Sequence, residues 1–342
     1  MNDLLRSLAR ERESRATKST ATTSAAPTAL QTVPRASARS AEMITDGEGV
    51  YRDLLTLIVE PMRLEQRNTF ASVCRAWRVA ARTVYTQGKF ASTMPLLVAA
   101  LPNDEVAVAN HGSVRIYGHD GAHRRSICDE PTATITGMAF DTINRRLFLA
   151  MRLGSVNRYR MPSGVLDGCI SDFNVLRCPE ALCLWQNVLF VADSTAHRIA
   201  TFDADSGALL RHLGKEGELL QPRAVAAQRN RVYVIDSVKD HIVIFCWLTG
   251  EKLTAIGTRG RAPGEFTNLR GLAVVRHYLL VIEEHRLQLL TLSGVPCQVL
   301  VVGLLHNSQL RGACVSSERN AVMVGDVGQG CVHLLAFGDA IQ

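Results

Sequence analysis

What the chain lacks narrows its class first. No apolar run approaches the ~20 residues that a membrane-spanning helix requires, and the N-terminus has no apolar core of a secretory leader. Its opening stretch, MNDLLRSLARERESR, has the Leu/Arg start of a mitochondrial presequence. Asp3, Glu11 and Glu13 argue against that use. No CxxC pair and no Asn-x-Ser/Thr sequon occurs. The nine cysteines are odd in number, and several sit inside apolar runs such as Ala313-Cys314-Val315. They read as small buried hydrophobes, which predicts a reducing compartment, cytoplasmic or nuclear. P-loop, GxSxG and HExxH patterns are absent, and the ten histidines show no ligand spacing.

What is present divides the chain into three parts. Residues 1–45 are mainly Ser, Thr, Ala, Arg and Pro, too poor in large apolar side chains to offset chain entropy, so a disordered tail is expected. Over 46–82, Leu54, Leu55, Ile58 and Val59, then Val73, Trp77 and Ala80, follow helical spacing on either side of Pro61. From residue 83 short β-branched and aliphatic runs alternate with Gly, Asn and Asp. The formal charge of +6 is uneven: residues 1–94 hold 14 basic against 9 acidic side chains, and the remainder 24 against 23. The β-rich region therefore lacks the basic excess usual in a nucleic-acid platform.

An internal repeat dominates this region. The strand endings VAVAN, LFLAM, LFVAD, VYVID, LLVIE and VMVGD finish at 110, 151, 193, 236, 283 and 326, with steps of 41 to 47 residues. A second marker, glycine at 121, 164, 207, 250, 294 and 338, advances by 43 or 44. Two markers in phase for six cycles establish the repeat. Each cycle holds four strand-like pieces; in the fourth they are Arg223–Ala227, Val232–Asp236, Ile242–Trp247 and Lys252–Ile256. Four antiparallel strands per ~40–45 residues predict a six-bladed β-propeller. The first strands open on Gly137, Ala181, Ala224, Gly271 and Gly312, small residues that suit strands crowded at an axis. The last cycle lacks an outer strand, and residues 83–90, with TVYTQ at 83–87, are expected to close the ring. The carboxylates Asp193, Asp236, Glu283 and Asp326 end second strands and are expected to accept N–H bonds from the loop that follows.

Two resemblances follow from these residues. VADSTAHRIATFDADSG (191–207), GKEGELLQPRAV (214–225) and GTRGRAPGEFTNLRGLAV (257–274) resemble NHL repeats in cycles three to five. Leu269 stands for the usual proline, and Asn110 and Met151 for the usual aspartate. Upstream, V-C-R-A-W (73–77) preceded by L-L-T-L-I-V (54–59) resembles an F-box, with Val50-Tyr51 in place of its Leu-Pro. An F-box ahead of a propeller implies the substrate receptor of a cullin-type ubiquitin ligase. The resemblance implies that Leu54, Leu55, Ile58, Val59, Val73, Cys74 and Trp77 dock on a Skp-type adaptor, which carries the cullin.

The function expected is therefore a non-catalytic protein-interaction module with no cofactor, no metal and no membrane partner. An unidentified protein client is expected on the loop face, at His111, Arg152, Lys215, Lys239, Arg259, Arg261 and Arg286. Single-stranded RNA on that face is the alternative, weakened by the scarcity of aromatic stacking partners in those loops. A propeller hydrolase or lyase needs polar ligands down its axis. The inner strands offer Met138, Ala139, Cys183, Val225, Ala273 and Cys314.

Overall fold

The computed structural model describes residues 84–91 and 96–337, apart from 111, 119, 130–131, 172–174, 301–308 and 317–320. The expected tail and helical segment lie outside the described residues.

The second strand of each cycle shows why the chain forms sheets. Val188–Asp193, Arg231–Asp236 and Tyr278–Glu283 are buried almost throughout, so they read as continuous apolar runs rather than as alternating ones. Their β-branched and aromatic side chains suit a pleated surface covered on both sides. The outer strands differ. Lys252–Ile256 is exposed along nearly its whole length and carries the mixed sequence KLTAI. Between third and outer strands the repeated glycine adopts a left-handed conformation, with φ of 73° at Gly207 and 78° at Gly250. A side chain there would strain the hairpin, which accounts for the 43-residue glycine rhythm.

Six four-stranded antiparallel sheets result, five of them laid out in chain order from axis to rim. Blade one comprises Leu97–Ala100, Val106–Ala109, Ser113–Tyr117 and His123–Asp129. Blades two to five begin at Ile135, Pro179, Pro222 and Leu269. Blade six takes Leu310–Ser316, Ala321–Asp326 and Cys331–Phe337 from the end of the chain. Its fourth strand is Val84–Ala91, paired antiparallel with Cys331–Phe337 from Val84↔Phe337 to Ala91↔Cys331. Both ends of the ring thus meet in one sheet, which removes a free edge.

Apolar layers between neighbouring sheets form the core. Phe190, Leu213, Val232 and Phe245 join blades three and four, while Tyr233, Ile244, Leu269 and Leu279 join four and five. Each such side chain contributes ~1.5–3 kcal/mol of gross burial energy. At the axis the inner strands nearly touch. A Cβ on Gly137 would lie 2.9 Å from the Ala181 Cα, and one on Gly312 would lie 3.0 Å from the Leu97 Cα. The small residues of the repeat are thus required by contact between inner strands.

Candidate functional site

Alternating strand direction places two sets of loops on one face: the linkers between blades and the loops between second and third strands. Two columns of side chains meet there. The first is the carboxylate column. Asp193 accepts the N–H groups of Arg177 and Cys178 at 2.9 and 2.8 Å, and Asp236 those of Leu220 and Gln221 at 2.9 and 3.2 Å. Thr267 donates its N–H to Glu283 and Gln309 donates its own to Asp326. These donors lie in the linker preceding the blade, not in the loop that follows, as the sequence had suggested. The linker crosses the strand end on its way from rim to axis, so its N–H groups reach the carboxylate first. The following loop adds longer bonds, from Val238 at 3.3 Å and Gln329 at 3.2 Å. Asp193, Asp236 and Asp326 are fully buried, and the column is a brace of the fold.

The second column arises from a bulge repeated near the start of five inner strands. One residue is left out of the pairing at Thr136, Glu180, Arg223 and Arg270, and two at Arg311-Gly312. A bulge re-aims the extra residue away from the ladder. Here it sits where the linker enters the axis, so these side chains ring one mouth of the central channel, half-buried. Arg152 and Glu284, each the first residue after a second strand, join them. Arg270 pairs with Glu284 at 2.9 Å, and Arg152 lies 3.7 Å from Glu180. Among the described residues, four arginines against two glutamates leave two positive charges at this mouth.

Those charges belong to Arg223 and Arg311, for which no hydrogen bond or close ion pair is seen among the described residues; Glu180 and Glu284 attract Arg223, and Glu284 attracts Arg311, from farther away. Burial first, then repulsion from Arg270, holds the Arg223 guanidinium below the usual arginine range. Arg311 is held down by burial, then by Arg270 and Arg223. Glu284 is held below the usual carboxylate range by its hydrogen bond from Arg270. The Nε atoms of Arg270 and Arg311 are buried without a partner. Crowded, desolvated and only partly neutralised, this mouth is built to accept an anion.

The residues expected on the client face are scattered. Arg152 is at the mouth. Lys215, Lys239, Arg259 and Arg261 are exposed on linkers and loops, with the Arg259 Nε 3.0 Å from the Asp240 carboxylate. Arg286 is turned inward: it donates to Glu283 and to the carbonyls of Arg261 and Glu265. Its guanidinium braces blade five. His111 and the adaptor-binding set, Leu54, Leu55, Ile58, Val59, Val73, Cys74 and Trp77, lie outside the described residues. Reading the inner strands as purely apolar missed Glu180, Arg223, Arg270 and Arg311. The signal was the residue immediately before each small inner-strand position, a column reading Thr, Glu, Arg, Arg, Arg.

Two other clusters have chemical potential. Burial pushes the Cys183 thiol up to about 11 and the Cys314 thiol up to about 12, so neither supplies a thiolate nucleophile near neutral pH. In blade six the donor atoms of Asp326, Cys331 and His333 lie within 4.8 Å of one another, with His333 Nε2 3.1 Å from Asp326 Oδ2. Gln288 occupies the position of His333 in blade five and donates to Glu283 at 2.8 Å. An amide serving the same place marks this contact as a second strut for the strand-end carboxylate.

No protein-family model matches the chain, and no curated protein sequence does. Among solved structures it is similar to one described as "Streptogramin B lyase structure", with a TM-score of 0.56 and 10% identity over 75% of this chain and 99% of that one. The fold is a six-bladed β-propeller. At 10% identity the likeness extends to architecture alone.

Proposed function

We propose that the chain is a non-catalytic substrate receptor. On this reading its F-box-like segment binds a Skp-type adaptor in a cullin ubiquitin ligase, and its propeller presents the linker face to a protein client. The observation that carries the reading is the V-C-R-A-W motif at 73–77 ahead of a closed ring with NHL-like cycles. A ring without free edges holds a client at a fixed distance from the conjugating machinery, as such a receptor needs. Affinity capture from cells tests the proposal. The wild-type chain is expected to recover adaptor and cullin, and a folded Leu55→Asp/Trp77→Ala variant to lose both. Failure of the wild-type chain to recover the adaptor refutes the receptor reading.

A further inference from the structure

The client face has one place where a ligand group is needed to complete the chemistry already present. Arg270 and Arg152 each have a carboxylate within ion-pair distance, whereas Arg223 and Arg311 have none among the described residues. Bulges turn these side chains out of their strands. The backbone beneath is fixed, because the Gly271 Cβ position is only 3.1 Å from the Arg311 carbonyl. Two half-buried guanidinium groups without a carboxylate at ion-pair distance favour a partner that brings negative charge to this mouth.

We infer that the mouth ringed by Arg223, Arg270 and Arg311 binds one oxyanion, a carboxylate or phosphate, carried on a short extended segment of the client protein. The inference rests on the receptor reading for the identity of the client, but not for the anion site. A guanidinium offers parallel N–H donors matched to either oxyanion. Two features favour a peptide over a nucleic-acid strand. Glu180 and Glu284 stand among the arginines and repel a continuous polyphosphate, while a single anion can sit between Arg223 and Arg311. Stacking surface is also missing from this rim: its described members are Thr136, Arg152, Glu180, Arg223, Arg270, Glu284 and Arg311, none of them aromatic. A ligand held here lies against blades four to six, whose inner strands carry the three arginines.

Fluorescence anisotropy on the purified full chain tests this with three labelled probes. They are a short peptide of alternating glycine and glutamate, the same peptide with phosphoserine for glutamate, and the same with glutamine. Binding of either anionic peptide, but not of the glutamine peptide, is expected, and which binds tighter distinguishes carboxylate from phosphate. Arg223→Gln and Arg311→Gln should each weaken it on the order of tenfold to a hundredfold, while Lys252→Gln, on an exposed outer strand, leaves it unchanged. The melting temperature supplies a readout that a structural arginine would not give. Removing crowded like charges should hold it level or raise it in both mouth variants. Equal binding by wild type and mouth variants, or no binding of either anionic peptide to the wild type, overturns the inference. So does binding of oligouridylate alone, lost in the same variants. Adaptor capture is measured separately, so a failed mouth and a failed receptor are distinguishable. Arginine-dependent peptide binding without adaptor capture sinks the receptor alone, and the reverse result sinks the mouth.

Discussion

The two columns on the linker face lie next to each other across the strand register and behave in opposite ways. In the register of blade four, Pro222 faces Asp236, and the next residue, Arg223, is bulged out of the pairing. Asp236 is fully buried and accepts three backbone N–H groups. Arg223 is half-buried with no hydrogen bond or close ion pair among the described residues. Acidic side chains fill the first column in four consecutive blades. The second changes from Thr to Glu to Arg around the ring. A position that four blades use for the same job keeps its chemistry in those four. A position whose chemistry varies around the axis is free to serve something outside the fold.

Substituting the first column should break the comparison most severely. Asp236→Ala strands its N–H donors in a dry site at ~1–3 kcal/mol each, so a stability loss on the order of 4 kcal/mol is expected in chemical denaturation. Next is the ion network on the opposite face. Arg146 joins the Asp141 carboxylate at 2.7 Å and reaches across to Asp205 at 2.6 Å, tying blade two to blade three. Removing Arg146 leaves Asp141 buried and unpaired. Because Asp205 is largely exposed, the loss in Arg146→Ala should fall near the lower end for buried pairs, about 3 kcal/mol.

The same network predicts a pH dependence. Burial pushes the Asp141 carboxyl up, but hydrogen bonds from Arg146 and Asn144 outweigh it and hold the group below its ordinary value. A depressed carboxyl contributes stability above the ordinary value of ~4 and loses it as pH falls through the folded value. Thermal melts from neutral to acid pH should show this decline, and Asp141→Asn should flatten it.

The smallest effect sharpens the comparison within the first column. If His333 is a strut equivalent to Gln288, His333→Gln should change stability by less than about 1 kcal/mol. It should also leave the melting temperature indifferent to added zinc or chelator. A large loss on chelation of the wild-type chain would instead make Asp326, Cys331 and His333 metal ligands.

Much of the architecture was legible in the residues. Phase-locked strand endings and hairpin glycines carried the six cycles, because a four-stranded blade imposes both at fixed spacing. The small residues at 137, 181, 224, 271 and 312 carried the crowded axis for the same reason. The mouth was less legible. A bulge is a property of pairing register, and alternation along one strand assigns the residue before Gly271 or Gly312 to no particular direction. Only the register of the neighbouring strand reveals that it points elsewhere. Arg286 misled in the converse way: a loop arginine reads as solvated until the glutamate three residues earlier and two carbonyls are seen to hold it.

Unfolding free energy and anionic-peptide affinity, measured side by side on Asp236→Asn and Arg223→Gln, test the division of labour most directly. The first variant should lose stability and, while folded, keep its affinity; the second should keep its stability and lose affinity. If both properties fall together in either protein, the two columns are not separate devices, and the arginine mouth is part of the scaffold.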